Sequence, residues 1–262
     1  FKQKTAYEFG GRDWSSDLCS SDLYDAGNAV EGTHRPYRFT AVVKPGASPE
    51  AAAAAAAHAV LVSLFPPQKA TLDLTYERLL AKLPDGQGKK NGVALGENIG
   101  AQMVAWRKGD HSSDVVPYTP GTKPGEWRPT PPGFAPAMIP QWAKVTPFAM
   151  TGPAQFRTAA PPALSSRAYT ADLNEVKSLG AAQSKTRTPE QAEIAQFWMD
   201  MPGTITTVGR WNEVARFVGE QRGLTLAENA RLLALVNIAL TDAGITARSE
   251  EHTSELQSRQ SI

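Results

Sequence analysis

The sequence predicts an all-α protein, a helical bundle interrupted by one long ordered loop. Three observations carry that class. Apolar residues recur at helical spacing over seven stretches, several opened by capping residues and closed by proline or glycine. No alternation of period two persists beyond a short run at 39–43. Between 109 and 162 the helical pattern gives way to a segment holding well over half of the 20 prolines, together with Trp127, Phe134, Trp142, Phe148 and Phe156.

The elements follow in order. Ser48, Pro49 and Glu50 precede seven alanines and an apolar run to Phe65: serine caps, proline suits the first turn, and glutamate complements the positive end of a helix. Pro66 and Pro67 stop it. A second helix spans 68–83, with Leu72, Tyr76, Leu79, Leu80 and Leu83 in phase, and ends at Pro84-Asp85-Gly86. A third spans 89–108, where Gly92, Gly96 and Gly100 weaken the helix unless a neighbour packs tightly along that stripe. Proline with so many aromatics in 109–162 points to an ordered loop lying over an apolar surface. Helices resume at 172–179, stopped by Gly180, and at 192–201 behind the capping box Thr188-Pro-Glu-Gln191. Residues 205–222 form an amphipathic helix through Val208, Trp211, Ala215 and Val218, ended by Gly223. A second capping box, Thr225-Leu-Ala-Glu228, opens a helix over 229–242 that is apolar on most sides and is therefore expected at the centre.

Composition excludes several classes of function. A formal charge of +1, with 41% hydrophobic and 20% charged residues, gives no reason to expect nucleic acid or an anionic membrane. No unbroken run of about 18 apolar residues exists, so no transmembrane segment is expected. Cys19 is the single cysteine, which leaves no disulfide and no cysteine metal site.

The two ends read differently from the middle. Arg248-Ser-Glu-Glu-His-Thr-Ser-Glu-Leu-Gln-Ser-Arg259 resembles a translated short-read sequencing adapter. Phe1-Lys-Gln-Lys-Thr-Ala-Tyr-Glu8 resembles a translated adapter primer, and Arg12-Asp-Trp-Ser-Ser-Asp-Leu-Cys-Ser-Ser-Asp-Leu23 resembles the reverse complement of the adapter itself, with departures at Phe9 and Leu18. The expectation is a foreign leader over 1–23, a native part over 24–247, and a foreign tail over 248–262. Cys19 and His252 then drop out of the chemistry.

Within 24–247 no catalytic residue and no metal ligand is expected. His34 and His58 each stand without a second ligand at metal spacing and read as structural or surface residues. Asp110 could orient His111, although a solvated turn is the plainer reading. Trp127-Arg128-Pro129 mimics a phosphate-binding arginine signature but stands in a proline-rich stretch; Arg128 is expected to stack on an aromatic ring or form a surface ion pair. The glycine stripe is no phosphate loop, because no Gly-Lys-Ser/Thr follows. Asn229, Asn237 and Asp242 are the best polar candidates. On a buried helix they must bond neighbours or support a site, and bonding neighbours is the leading reading.

Several strings together resemble one family. They are Tyr24-Asp-Ala-Gly-Asn-Ala-Val, Ala59-Val-Leu-Val-Ser-Leu-Phe-Pro66, Leu83-Pro-Asp-Gly86, Gly125-Glu-Trp-Arg-Pro-Thr-Pro-Pro-Gly-Phe134, Pro140-Gln-Trp-Ala-Lys-Val-Thr-Pro-Phe148, Asp172-Leu-Asn-Glu-Val-Lys-Ser-Leu-Gly180 and Glu228-Asn-Ala-Arg-Leu. In order and spacing they are similar to the bacterial vanadium-dependent haloperoxidase-like proteins of the phosphatidic acid phosphatase type 2 superfamily, over nearly all of 24–247. The resemblance implies a helical bundle whose intact form holds vanadate in a pocket of Lys, Arg and His. It also implies a small-molecule substrate and leaves a periplasmic or secreted location open. The family's Lys…Arg-Pro, Pro-Ser-Gly-His and Arg…His motifs are missing here. The chain is thus expected to be an inactive N-terminal fragment, truncated before the catalytic half, with no cofactor of its own. Its exposed helical face would invite dimerisation or aggregation. An acid phosphatase-like parent on the same scaffold and a non-catalytic helical binding protein remain the alternatives.

Overall fold

The computed structural model describes residues 15–159, 161–199 and 204–254, with side chains over 20–249 of these. Among them are eight α-helices and no strand: α1 (Ser15–Glu31), α2 (Pro49–Leu64), α3 (Lys69–Leu80), α4 (Gln87–Arg107), α5 (Arg167–Gly180), α6 (Pro189–Trp198), α7 (Thr206–Arg222) and α8 (Leu226–Ser254). Short 3-10 turns stand at Pro66–Gln68 and Pro140–Lys144. The all-α reading holds. The thiol of Cys19, the imidazole of His252 and the expected helix end at Met201 lie outside the described residues.

The chain divides into two compact units, the first taking the described residues up to Asp110 and from 204 to Thr241. Its spine is the seam between α2 and α4. The Ser48 hydroxyl caps α2 by accepting from the Ala51 amide, and Pro49 occupies the first turn. Gly92, Gly96 and Gly100 on α4 fall one turn apart, and a β-carbon at each would collide with the α2 backbone and with Ala51, Ala55 or Ala59. The stripe that weakens the isolated helix is what lets two backbones approach this closely. Val60, Ile99 and Met103 fill the seam.

Helix α1 was not foreseen; its Ser-Ser-Asp repeats carry no apolar period. It packs on α2 and α4 through Ala26, against Ala52, Ala56, Leu95 and Ile99. The expected boundary between 23 and 24 falls inside α1, and that between 247 and 248 inside α8. The polar residues of the Tyr24-Asp-Ala-Gly-Asn string hold the extended segment that follows. The Asp25 carboxylate accepts from the amides of Tyr37, Arg38 and Phe39 at 2.6, 3.0 and 2.8 Å. Asn28 exchanges two hydrogen bonds with the His34 backbone, and the Tyr24 hydroxyl donates to Arg35 O.

Two expectations about helix faces need correction. On α7 the buried residues are Gly209, Asn212, Ala215 and Gly219, while Trp211 and Val218 lie on the exposed side with Val214 and Phe217. Small residues win the inner face because close approach to α8 is what they permit: the Asn229 amide occupies the space a side chain at Gly219 would need. Helix α8 likewise buries Ala227, Ala230, Ala234, Asn237 and Ile238, leaving Leu235 half exposed. It is not enclosed on all sides. By length and composition alone α8 could also cross a membrane over Leu226–Ser249, with mean hydropathy 1.3, which a search for unbroken apolar runs overlooks. It is the one such helix among the described residues.

The second unit takes His111 to Met199 and the chain from Asp242. Its loop is ordered around Trp127, Trp142, Val145 and Phe148, all buried, with Tyr118 edge-on to Trp127 at 5.3 Å. Trp142 lies against Gly244 of α8. Phe134 and Phe156, expected to join them, are exposed. Helices α5 and α6 bury no residue. Local devices define their ends: Ser166 caps α5, and Thr188 with Gln191 forms the complete capping box of α6.

Candidate functional site

The three polar candidates all find partners. Asn237 is fully buried in the first unit. Its carboxamide pairs reciprocally with Asn212 of α7 at 2.8 and 2.9 Å, and its amide also reaches the Ser20 hydroxyl at 2.9 Å. Asn229 donates to the carbonyls of Leu224 and Thr225 and so closes the start of α8. Asp242, in the second unit, accepts from three successive amides, Phe148 at 2.7 Å, Ala149 at 2.8 Å and Met150 at 2.9 Å. A carboxylate set in a row of backbone donors holds the end of the aromatic loop in one conformation. Each of the three thus bonds neighbouring groups of the chain.

The histidines resolve differently. His34 sits beside the Thr33 hydroxyl at 2.9 Å. His58 Nε2 meets Asp73 Oδ1 at 2.9 Å, Lys69 meets the other oxygen at 2.6 Å, and Tyr76 stacks on the imidazole at 4.3 Å. This cluster was invisible in the sequence because Asp73 stands fifteen residues away and α3 must fold back to deliver it. Lys69 first, then His58, hold the Asp73 carboxyl below the usual carboxylate range. An apolar cavity of about 380 Å³ adjoins the cluster, lined by Leu23, Ala54, Leu61, Leu72 and Leu83.

The suggested Asp110–His111 pair does not form. Asp110 is buried and takes the Arg107 guanidinium at 2.7 Å, while His111 turns to Asp114 at 2.9 Å. Arg107 wins Asp110 because a buried carboxylate needs a full charge beside it, which a histidine supplies only when protonated. Arg128 is exposed, and its charge helps to lower the Glu126 carboxyl behind the amides of Lys123 and Thr122. Among the described residues, Arg38 and Arg107 both lie over the ring of Trp106.

A tetrahedral oxyanion needs several cations converging on one point, and a vanadium centre needs a histidine ligand as well. Among the described residues, the histidines and the buried arginine that carry ion pairs do not fit that demand. Both imidazoles with an ion-pair partner, His58 and His111, face carboxylates, and the buried Arg107 is committed to Asp110. Among the described residues no three His, Cys, Asp or Glu side chains come together to hold a metal ion.

No family model matches the chain, and no curated protein matches it. Solved structures do. A bacterial vanadium-dependent iodoperoxidase superposes with a TM-score of 0.78 over 93% of this chain, at 22% identity. The fold is that of the vanadium-dependent haloperoxidases. A bacterial vanadium-dependent chloroperoxidase agrees, with a TM-score of 0.70 over 97% of the chain at 16% identity. The chain spans 64% of the length of the iodoperoxidase and 63% of that of the chloroperoxidase, less than two thirds of either.

Proposed function

We propose that this chain is the N-terminal scaffold of a haloperoxidase-like protein and does not oxidise halide by itself. The observation that carries the reading is a pairing of two facts. The superposition with the iodoperoxidase extends over 93% of the chain, yet the buried Arg107 and the half-buried His58 are each committed to a carboxylate rather than turned to a common anion. In the intact parent, vanadate would be held by residues outside the part seen here, and the substrate would be a small molecule oxidised with peroxide. Residues 1–23 and 248–262 are taken as additions to the native 24–247. An acid phosphatase-like parent is the second reading, since vanadate and phosphate share a tetrahedral geometry.

The test is direct. The purified chain, supplied with vanadate, hydrogen peroxide and bromide or iodide, should leave a phenolic indicator unhalogenated, and it should not hydrolyse a nitrophenyl phosphate. Turnover in the first assay that vanishes without vanadate sinks the proposal of inactivity.

The proposal extends to association. Trp211, Val214, Phe217 and Val218 present a half-exposed apolar face on α7. Such a face drives pairing when nothing covers it. Sedimentation velocity should show self-association that Phe217→Lys with Val214→Glu abolishes; a monomer at all concentrations contradicts it.

A further inference from the structure

Helices α2 and α3 pack on each other and line most of an apolar cavity of about 380 Å³ within the first unit. Ala54, Ala57 and Leu61 line it from α2, Leu72 and Leu79 from α3, and Leu83 from the turn that follows. Leu23 touches it too, but all of its polar residues lie within 24–247. A volume of this size is that of a small-molecule site, with room for about a dozen heavy atoms at about 30 Å³ each.

Two polar rings interrupt the walls. His58 and Tyr76 are stacked at 4.3 Å, and both line the cavity. His58 Nε2 is held by Asp73 at 2.9 Å, so in the neutral ring the other nitrogen, Nδ1, is an acceptor. No described residue bonds Nδ1. The Tyr76 hydroxyl is buried and has no partner among the described residues. Burial, and then the charge of Glu97, raise it above its ordinary value, which keeps it a donor. Polar groups left unpaired beside an apolar space are costly, and a ligand that bonds them removes that cost.

The charges at the cavity offset one another. Glu50 and Lys82 both line it, both are exposed, and their signs are opposite. Neither an anion nor a cation gains an advantage there, and either would give up its water to walls of alanine and leucine.

We propose that this cavity binds a neutral, largely apolar small molecule carrying a single hydroxyl group. The hydroxyl donates to His58 and accepts from Tyr76, and the hydrocarbon body lies among Ala54, Leu61 and Leu72. The site uses no oxyanion chemistry, so it stands or falls independently of whether the chain oxidises halide.

Titration calorimetry of the full chain with 1-decanol, below its solubility limit, tests this. Decanol should bind at a single saturable site, and decanoate and decyltrimethylammonium should bind at least about tenfold more weakly. 1-Methoxynonane has the same size but cannot donate, and should bind about five- to tenfold more weakly than decanol. Tyr76→Phe should weaken decanol by about fivefold without lowering Tm, because the hydroxyl has no partner in the free chain to lose. Ala54→Phe and Ala57→Leu, each with helicity checked by circular dichroism, fill the cavity and should abolish binding. Uptake that does not saturate, or that both filling variants leave unchanged, overturns the proposal. Decanoate binding more tightly than decanol, or 1-methoxynonane binding equally well, overturns the assignment of a neutral hydroxyl ligand.

Discussion

Replacing Gly96 by alanine should destabilise this protein, although alanine is the better helix former. In α4 the exchange gains about 1 kcal/mol of intrinsic helix preference. Against it stands the geometry of the α2 seam: the new β-carbon would overlap Ala52 O and lie 2.8 Å from both Ala55 Cβ and Ala56 N. Two of those three atoms are backbone, so no side chain can rotate away. Overpacking of a close-packed core costs about 1–3 kcal/mol, and a contact this short on backbone belongs at the upper end. The net expectation is a loss of about 2 kcal/mol. Gly27→Ala provides the internal control, because nothing lies within 4 Å of its would-be β-carbon. It sits inside α1 and should gain about 0.5–1 kcal/mol. Urea titrations followed by far-ultraviolet circular dichroism would read both as midpoint shifts of opposite sign at constant slope. If Gly96→Ala matched or exceeded the stability of wild type, the account of the glycine stripe as a close-approach seam would be wrong.

Three further outcomes are expected. Asp242→Ala strands the amides of Phe148, Ala149 and Met150 and should cost about 3 kcal/mol, with faster hydrogen exchange at those three positions; unchanged exchange there refutes its anchoring role. Asn237→Leu leaves the buried Asn212 carboxamide short of its partner and should cost about 1–3 kcal/mol, part of which the double variant with Asn212→Leu recovers; strictly additive losses contradict the reciprocal pair. Asp73 is held low by Lys69 and His58, so its contribution is present above the unfolded value and lost as pH falls through the folded one. The stability difference between wild type and Lys69→Met should therefore be full at pH 6 and shrink below about pH 4, and a difference constant across that range argues against the ion pair.

The helices whose ends carry their own chemistry were legible from sequence. Ser48 with Pro49, Thr188 with Gln191, Thr225 with Glu228, and Gly223 in the left-handed conformation all act locally, within four residues of the end they define. The α2–α4 seam was legible as a condition, since three glycines four apart need a close neighbour. Helix faces were not. Trp211 and Leu235 have the hydrophobicity of core residues, but which side of α7 or α8 is covered depends on a partner surface that periodicity cannot name. The same limit hid the His58–Asp73 contact and the competition in which Arg107 takes Asp110 from His111. Helix α1 was missed for the opposite reason: Ser21 and Asp22 are the wrong residue types for a buried turn, and the structure buries them nonetheless. Family resemblance supplied the fold, which the superpositions with two vanadium-dependent peroxidases bear out.

Vanadate binding is the most direct measure of whether this scaffold carries its own oxyanion site. Equilibrium dialysis of the purified chain against micromolar vanadate, with phosphate as competitor, reads it without requiring turnover. A bound fraction indistinguishable from that of an unrelated protein of equal charge is the predicted result. One equivalent of vanadate per chain, displaced by phosphate, would contradict it.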